Sequence, residues 1–155
     1  MGQRNSQSNL ITPEVTMPSK YDYSPYIGTP WESGGRNKDD ALDCWGLVWS
    51  IYNEVYGLYL PSLSDIHIAN GFTETAEAIS SVYPSIHKNF YEPDDTQEGD
   101  IIMLNMAGQP IHIGVCLDHQ RMIHTTQKVG CVVEKFKQRV WLNRVEGIYR
   151  HKDFK

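Results

Sequence analysis

Residues 43–57 read Asp-Cys-Trp-Gly-Leu-Val-Trp-Ser-Ile-Tyr-Asn-Glu-Val-Tyr-Gly. Asp43 has the side chain of a helix N-cap, able to accept from the free N–H groups of a first turn, and Gly57 is a C-terminal stop. Cys44, Leu47, Val48, Ile51 and Val55 lie on one stripe of the helical period, with Trp45, Trp49, Tyr52 and Tyr56 on a second beside it. A helix apolar over so much of its girth is covered on most sides. The spacing predicts a central helix over 44–56 with Cys44 in its first turn.

Outward from that helix the pattern changes. Gly57 to Asn70, carrying Pro61, reads as a long loop, and Thr73 to Tyr83 as a weaker helix ended by Pro84. Beyond Gly99 the apolar period falls to two. Ile101 to Met106, Ile111 to Leu117, Arg121 to Thr125, Cys131 to Phe136 and Val145 to Tyr149 all read as strands. Helices followed by a strand meander predict an α+β fold: N-terminal helices, the central one bearing Cys44, packed on an antiparallel sheet. Residues 1–20, polar and without a period, are expected to form a flexible arm, and residues 21–155 a single domain.

Composition narrows the function classes. The chain has 155 residues and a net charge of −5, with 14 basic against 19 acidic side chains and no long Lys/Arg block. A nucleic-acid partner is therefore not expected. Its apolar runs are too short for a membrane span, and no apolar run follows the polar start as a secretory signal would require. An odd set of cysteines, Cys44, Cys116 and Cys131, does not make a disulfide framework and predicts folding in a reducing cytoplasm.

Cys44 carries the sharpest chemical signal. At a helix start, unpaired N–H groups and the dipole favour an anion, so the expectation is a lowered thiol pKa and a thiolate nucleophile. The plainer alternative is a small core residue opening the apolar stripe. Gly34-Gly35 before it and Gly46 after it allow close backbone approach. On its strand His112 shares a face with Gly114 and Cys116, small neighbours that leave room for a helix end to dock. His124, on the next strand, can lie beside it. Cys44, His112 and His124 have the parts of a Cys-His-X triad. A zinc set of Cys44, His112 and His124 with Cys116 or Cys131 uses the same residues but lacks paired ligand spacing. His67, His87, His119 and His151 read as solvated, and Asp39-Asp40 and Asp94-Asp95 as turn acids.

Gly28-Thr29-Pro30-Trp31, Gly34-Gly35, Asp43-Cys44-Trp45-Gly46-Leu47-Val48, Glu98-Gly99-Asp100-Ile101, His112-Ile113-Gly114-Val115 and Ile123-His124 follow one another in order over about Tyr26 to Tyr149. This set resembles the NlpC family of papain-like cell-wall cysteine peptidases. The resemblance implies Cys44 as nucleophile, His112 as base and His124 as third polar residue, with no cofactor and no metal. It implies a substrate-facing role for Trp31, where the family usually has Tyr, and for Asp43 and Trp45, where the family usually has Asp-Cys-Ser around the nucleophile. The implied substrate is a peptidoglycan stem peptide, at the D-γ-glutamyl-diaminopimelate bond.

Cys-Trp-Gly-Leu-Val after Pro-Trp and Gly-Gly is similar to the branch encoded with tailed-phage tail genes. That likeness implies synthesis in the host cytoplasm, delivery in the virion tail, and other tail-tip proteins as partners. A non-catalytic tail component that keeps the fold is the alternative, and acyl transfer to an acceptor other than water would use the same triad.

Overall fold

The structure, a computed structural model, describes residues 19–63, 88–106 and 109–154. Residues 1–18 of the expected arm, 64–70 of the expected loop and the helix expected over Thr73 to Tyr83 lie outside the described residues.

A single 3-10 turn, Ser24–Tyr26, leads into a hairpin of two-residue strands, β1 (Arg36–Asn37) and β2 (Ala41–Leu42). The helix follows at once. Its α-helical part, α1, is Cys44–Ser50, and Ile51–Tyr56 continues as π-helix. The Asn53 side chain donates to the Trp49 carbonyl at 2.9 Å, taking an acceptor that the regular i→i−4 ladder would use. Gly57 ends the element in the left-handed region at φ 70°, and Leu58 N–H closes back on the Tyr52 carbonyl.

The remaining described elements are β3 (Phe90–Tyr91), β4 (Ile101–Met106), β5 (Gln109–Cys116), β6 (Arg121–Thr126), β7 (Gly130–Lys135), the short helix α2 (Arg139–Leu142) and β8 (Val145–His151). The six strands β3 to β8 form one sheet in the order β3-β8-β4-β5-β6-β7, antiparallel throughout. The α+β expectation is met, with strand ends within two residues of those expected. The hairpin, β3 and α2 were not expected, since elements of two to four residues are too short to show a period.

The two faces of the sheet carry different layers. Leu47 and Val48 of α1, with Ile51 of its π-helical continuation, pack with Ile101, Met103, Ile113, Val115 and Ile123 in the larger apolar cluster. Ile102, Leu104, Cys116 and Met122 point the other way and are covered by Phe136 and by Trp141 of α2. His112 pairs with Leu104 in the register and so belongs to this second face. The small-residue face expected to receive the nucleophile helix is covered by Trp141, and α1 lies on the Ile113 side.

Buried polar ties close the domain. Arg150 on β8 donates from Nε and Nη2 to the two carboxylate oxygens of the fully buried Asp100, at 2.8 and 2.9 Å. His151, expected as solvated, is instead buried against the Phe90 ring, with ring centroids 4.8 Å apart. His119 is exposed, as expected.

Candidate active site

The start of α1 is fixed by Asp43. One carboxylate oxygen accepts from Gly46 N–H (2.7 Å) and Arg36 Nη1 (2.8 Å), and the other from Gly34 N–H (2.8 Å). Asp43 is only 1% exposed, and Arg36 supplies the counter-charge a buried carboxylate requires. Gly46 lies so close to the Gly35 carbonyl that a Cβ would collide with it. The Gly-Gly loop, the hairpin and the helix start thus form one rigid block with Cys44 at its edge.

Cys44 is 5% exposed. Its sulfur lies against the N–H groups of Trp45 and of Ile113 on β5. Burial pushes the thiol up to about 12 and the Asp43 carboxylate adds to this, whereas the two N–H groups and Arg36 act in the opposite direction. The expected lowered pKa is therefore not found: burial outweighs the dipole.

His112 precedes Ile113, so the sulfur sits one residue along β5 from the first imidazole. Among the described residues no hydrogen bond joins Cys44 to His112. The two histidines do meet. His112 Nε2 and His124 Nδ1 are 2.8 Å apart, with the rings nearly perpendicular. The β5–β6 ladder makes this possible, because its register runs only through Val115↔Ile123 and Cys116↔Met122. A Cβ at Gly114 would press on the Ile123 carbonyl and the His124 side chain. Burial, followed by the charge of His124, brings His112 down to about 3, and burial also lowers His124 against the pull of Glu134.

Two neighbours of the pair were not singled out from the sequence. Glu134 on β7 accepts from His124 Nε2 at 2.8 Å and from Trp141 Nε1 at 3.1 Å. Trp141 stacks on the His112 ring at 5.8 Å and 18° and meets His124 edge-on. In sequence Glu134 is one more charged residue in an alternating strand, and only the β6–β7 register brings it to His124.

The residues expected on the substrate side are placed differently from one another. Trp31 is half-buried in extended backbone bridged to Leu42, directly before the Asp43-Cys44 corner. Trp45 is 3% exposed, packed in the core, with Nε1 donating to the Pro61 carbonyl at 2.9 Å. Asp43 is committed to the three donors above. Trp45 is thus packed in the core and Asp43 is bonded at the start of α1, directly before Cys44. Cys116 and Cys131 are buried strand residues. No group of three or more His, Cys, Asp or Glu side chains is placed to hold a metal ion among the described residues. No helix among them is long and apolar enough to cross a membrane.

A helix-borne thiol packed on an antiparallel sheet that carries paired histidines is the α+β framework of the papain-like class. The sequence profile of the NlpC/P60 family matches residues 28–150, and the protein belongs to that family.

Its curated relatives include the gamma-DL-glutamyl hydrolase of Bacillus subtilis, 22% identical over 152 residues that make up 97% of this chain and 32% of that protein. Another is the murein DD-endopeptidase MepS/murein LD-carboxypeptidase of Escherichia coli K12, 22% identical over 79% of this chain and 55% of that one. The chain thus spans about a third and about half of the length of these two relatives. Among solved structures, an NLP/P60 family protein of Staphylococcus aureus similar to a lipoprotein aligns with TM-score 0.55 and 21% identity, over 88% of this chain and 44% of that one. The NlpC/p60 domain of the peptidoglycan hydrolase SagA aligns with TM-score 0.52 and 18% identity, over 82% and 90%. The fold is that of these NlpC/P60 domains.

Proposed function

We propose that the chain is a cysteine peptidase that hydrolyses an amide bond in peptidoglycan stem peptides, with Cys44, His112 and His124 as its catalytic residues. The observation that carries this reading is the buried His112–His124 pair, set one residue along β5 from the N–H that holds the Cys44 sulfur. His112 Nε2 is committed to His124, so Nδ1 is the nitrogen that takes the thiol proton. The sulfur then attacks the carbonyl carbon, and His124 stabilises the imidazolium. The Cys44 backbone N–H, with a donor near Trp31, steadies the oxyanion. The C–N bond breaks as His112 returns its proton to the leaving amine. Water cleaves the thioester and restores the thiol.

The name of the Bacillus subtilis relative, a gamma-DL-glutamyl hydrolase, supports a γ-glutamyl bond as the target, and its D-γ-glutamyl-diaminopimelate form rests on the family resemblance. The phage-tail setting, with synthesis in the host cytoplasm, tail-tip partners and delivery in the virion, rests on the Pro-Trp, Gly-Gly and Cys-Trp-Gly-Leu-Val segments, and the free cysteines are compatible with it. One observation favours a second reading, a non-catalytic tail component: the Cys44 thiol is buried and held protonated.

Defined muropeptides incubated with the protein and analysed by mass spectrometry separate the two. The peptidase reading expects fragments cut at the γ-glutamyl bond and none with Cys44→Ala. Equal cleavage by the alanine variant contradicts the mechanism, and absence of cleavage by the native protein supports the structural role.

A further inference from the structure

The hydrogen-bond chain from Glu134 through both imidazoles has a direction, and Glu134 sets it. We propose that Glu134 is a positioning residue that fixes the tautomers of both His124 and His112, leaving a lone pair on His112 Nδ1. The inference deepens the peptidase reading and rests on it for its consequence in catalysis.

An ionised carboxylate only accepts. Partial burial pushes the Glu134 carboxyl up, but the hydrogen bonds from Trp141 and His124 more than offset this, so it is ionised at neutral pH. Trp141 Nε1–H only donates, and it occupies Oε1. Oε2 must then receive the proton of His124 Nε2. A neutral imidazole carries one N–H, so His124 Nδ1 becomes an acceptor, and the proton across the 2.8 Å contact to His112 belongs to His112 Nε2. His112 Nδ1 is left bare, which is the form a general base needs. Both imidazoles are buried against Trp141, while the Glu134 side chain is 41% exposed and is held by its bonds to His124 and Trp141.

Glutamine at this position makes the idea testable, because it has one acceptor and one donor end. Trp141 Nε1–H claims the amide oxygen, so the amide NH2 must face His124 Nε2. That turns His124 Nε2 into an acceptor, moves its proton to Nδ1 and moves the His112 proton to Nδ1 as well. A near-isosteric change thereby reverses the whole chain, whereas alanine leaves both rings free to choose. Replacing Trp141 by Phe in the glutamine variant frees the amide to turn its oxygen to His124.

The test is 15N NMR of the ring nitrogens in histidine-labelled full-length protein, with hydrolysis of a defined muropeptide measured on the same samples. Both rings are expected as Nε2–H in the native protein, both as Nδ1–H in Glu134→Gln, and both as Nε2–H again in Glu134→Gln/Trp141→Phe. Activity is expected to fall on the order of 10,000-fold in Glu134→Gln, the scale of a wrong histidine tautomer, and by far less, about tenfold, in Glu134→Ala. A merely structural role gives the opposite order, with alanine the worse substitution.

Native rings in the Nδ1–H form, or unchanged tautomers in Glu134→Gln, overturn the proposal. Tautomers that reverse while hydrolysis persists leave the positioning role standing and remove His112 from the role of base.

Discussion

At Cys44 two influences on one thiol can be compared in size. A helix start is worth up to about 2 kcal/mol to an anion, roughly 1.5 pKa units. Full burial shifts a group by up to about 3–5 units the other way. Burial wins, and the thiol rises to about 12 while His112 falls to about 3. Each charge alone is unfavourable in this interior, so the proposed mechanism requires the thiolate and imidazolium to form together.

The His112 shift also has a consequence for stability. The unfolded chain takes up this proton near pH 6.5 and the folded one only near 3, so stability falls as pH falls through that window. The contribution is intact above pH 6.5, declines by up to about 1.4 kcal/mol per pH unit, and is fully lost below about 3. Thermal unfolding followed from pH 7 to pH 4 should show a flatter Tm profile for His112→Gln than for the native protein. Parallel profiles would show that His112 is not held neutral.

At the scale of the element, α1 owes its place to contacts made before its first turn. Asp43 caps it, Arg36 neutralises the cap, and Gly46 admits the Gly35 carbonyl. Gly46→Ala should therefore destabilise the protein by about 1–3 kcal/mol, the usual cost of overpacking, although alanine is the better helix former. Urea unfolding measures this, and a stability equal to or above the native value would refute the close approach.

The helix was legible because cap, stripe and stop agree over 43–57. Its final six residues as π-helix were not, since Asn53 bonding to Trp49 leaves no mark on an apolar stripe. The strands holding His112 and His124 were legible from their alternation. The face that receives α1 was not, because alternation divides a strand into two sides without saying which layer covers each.

At the scale of the molecule, the sheet gathers the histidines from β5 and β6, the carboxylate from β7 and the covering indole from α2 onto one face, while α1 presses on the other. On β5, Ile113 follows His112 and brings its N–H to the Cys44 sulfur. That His112 and His124 lie side by side could be expected from their neighbouring strands. Glu134 and Trp141 could not, because their positions depend on strand register and on a four-residue helix. The burial of Trp45 and the three bonds to Asp43 also depend on the fold around the start of α1.

The most direct measurement offers the protein a stem-peptide analogue ending in a nitrile at the scissile carbonyl, followed by peptide mapping. A thioimidate on Cys44, absent from Cys116 and Cys131 and lost in His112→Ala, is the expected result. No adduct on Cys44, or one that forms as readily without His112, would contradict the assignment of this sulfur as the nucleophile and this imidazole as its base.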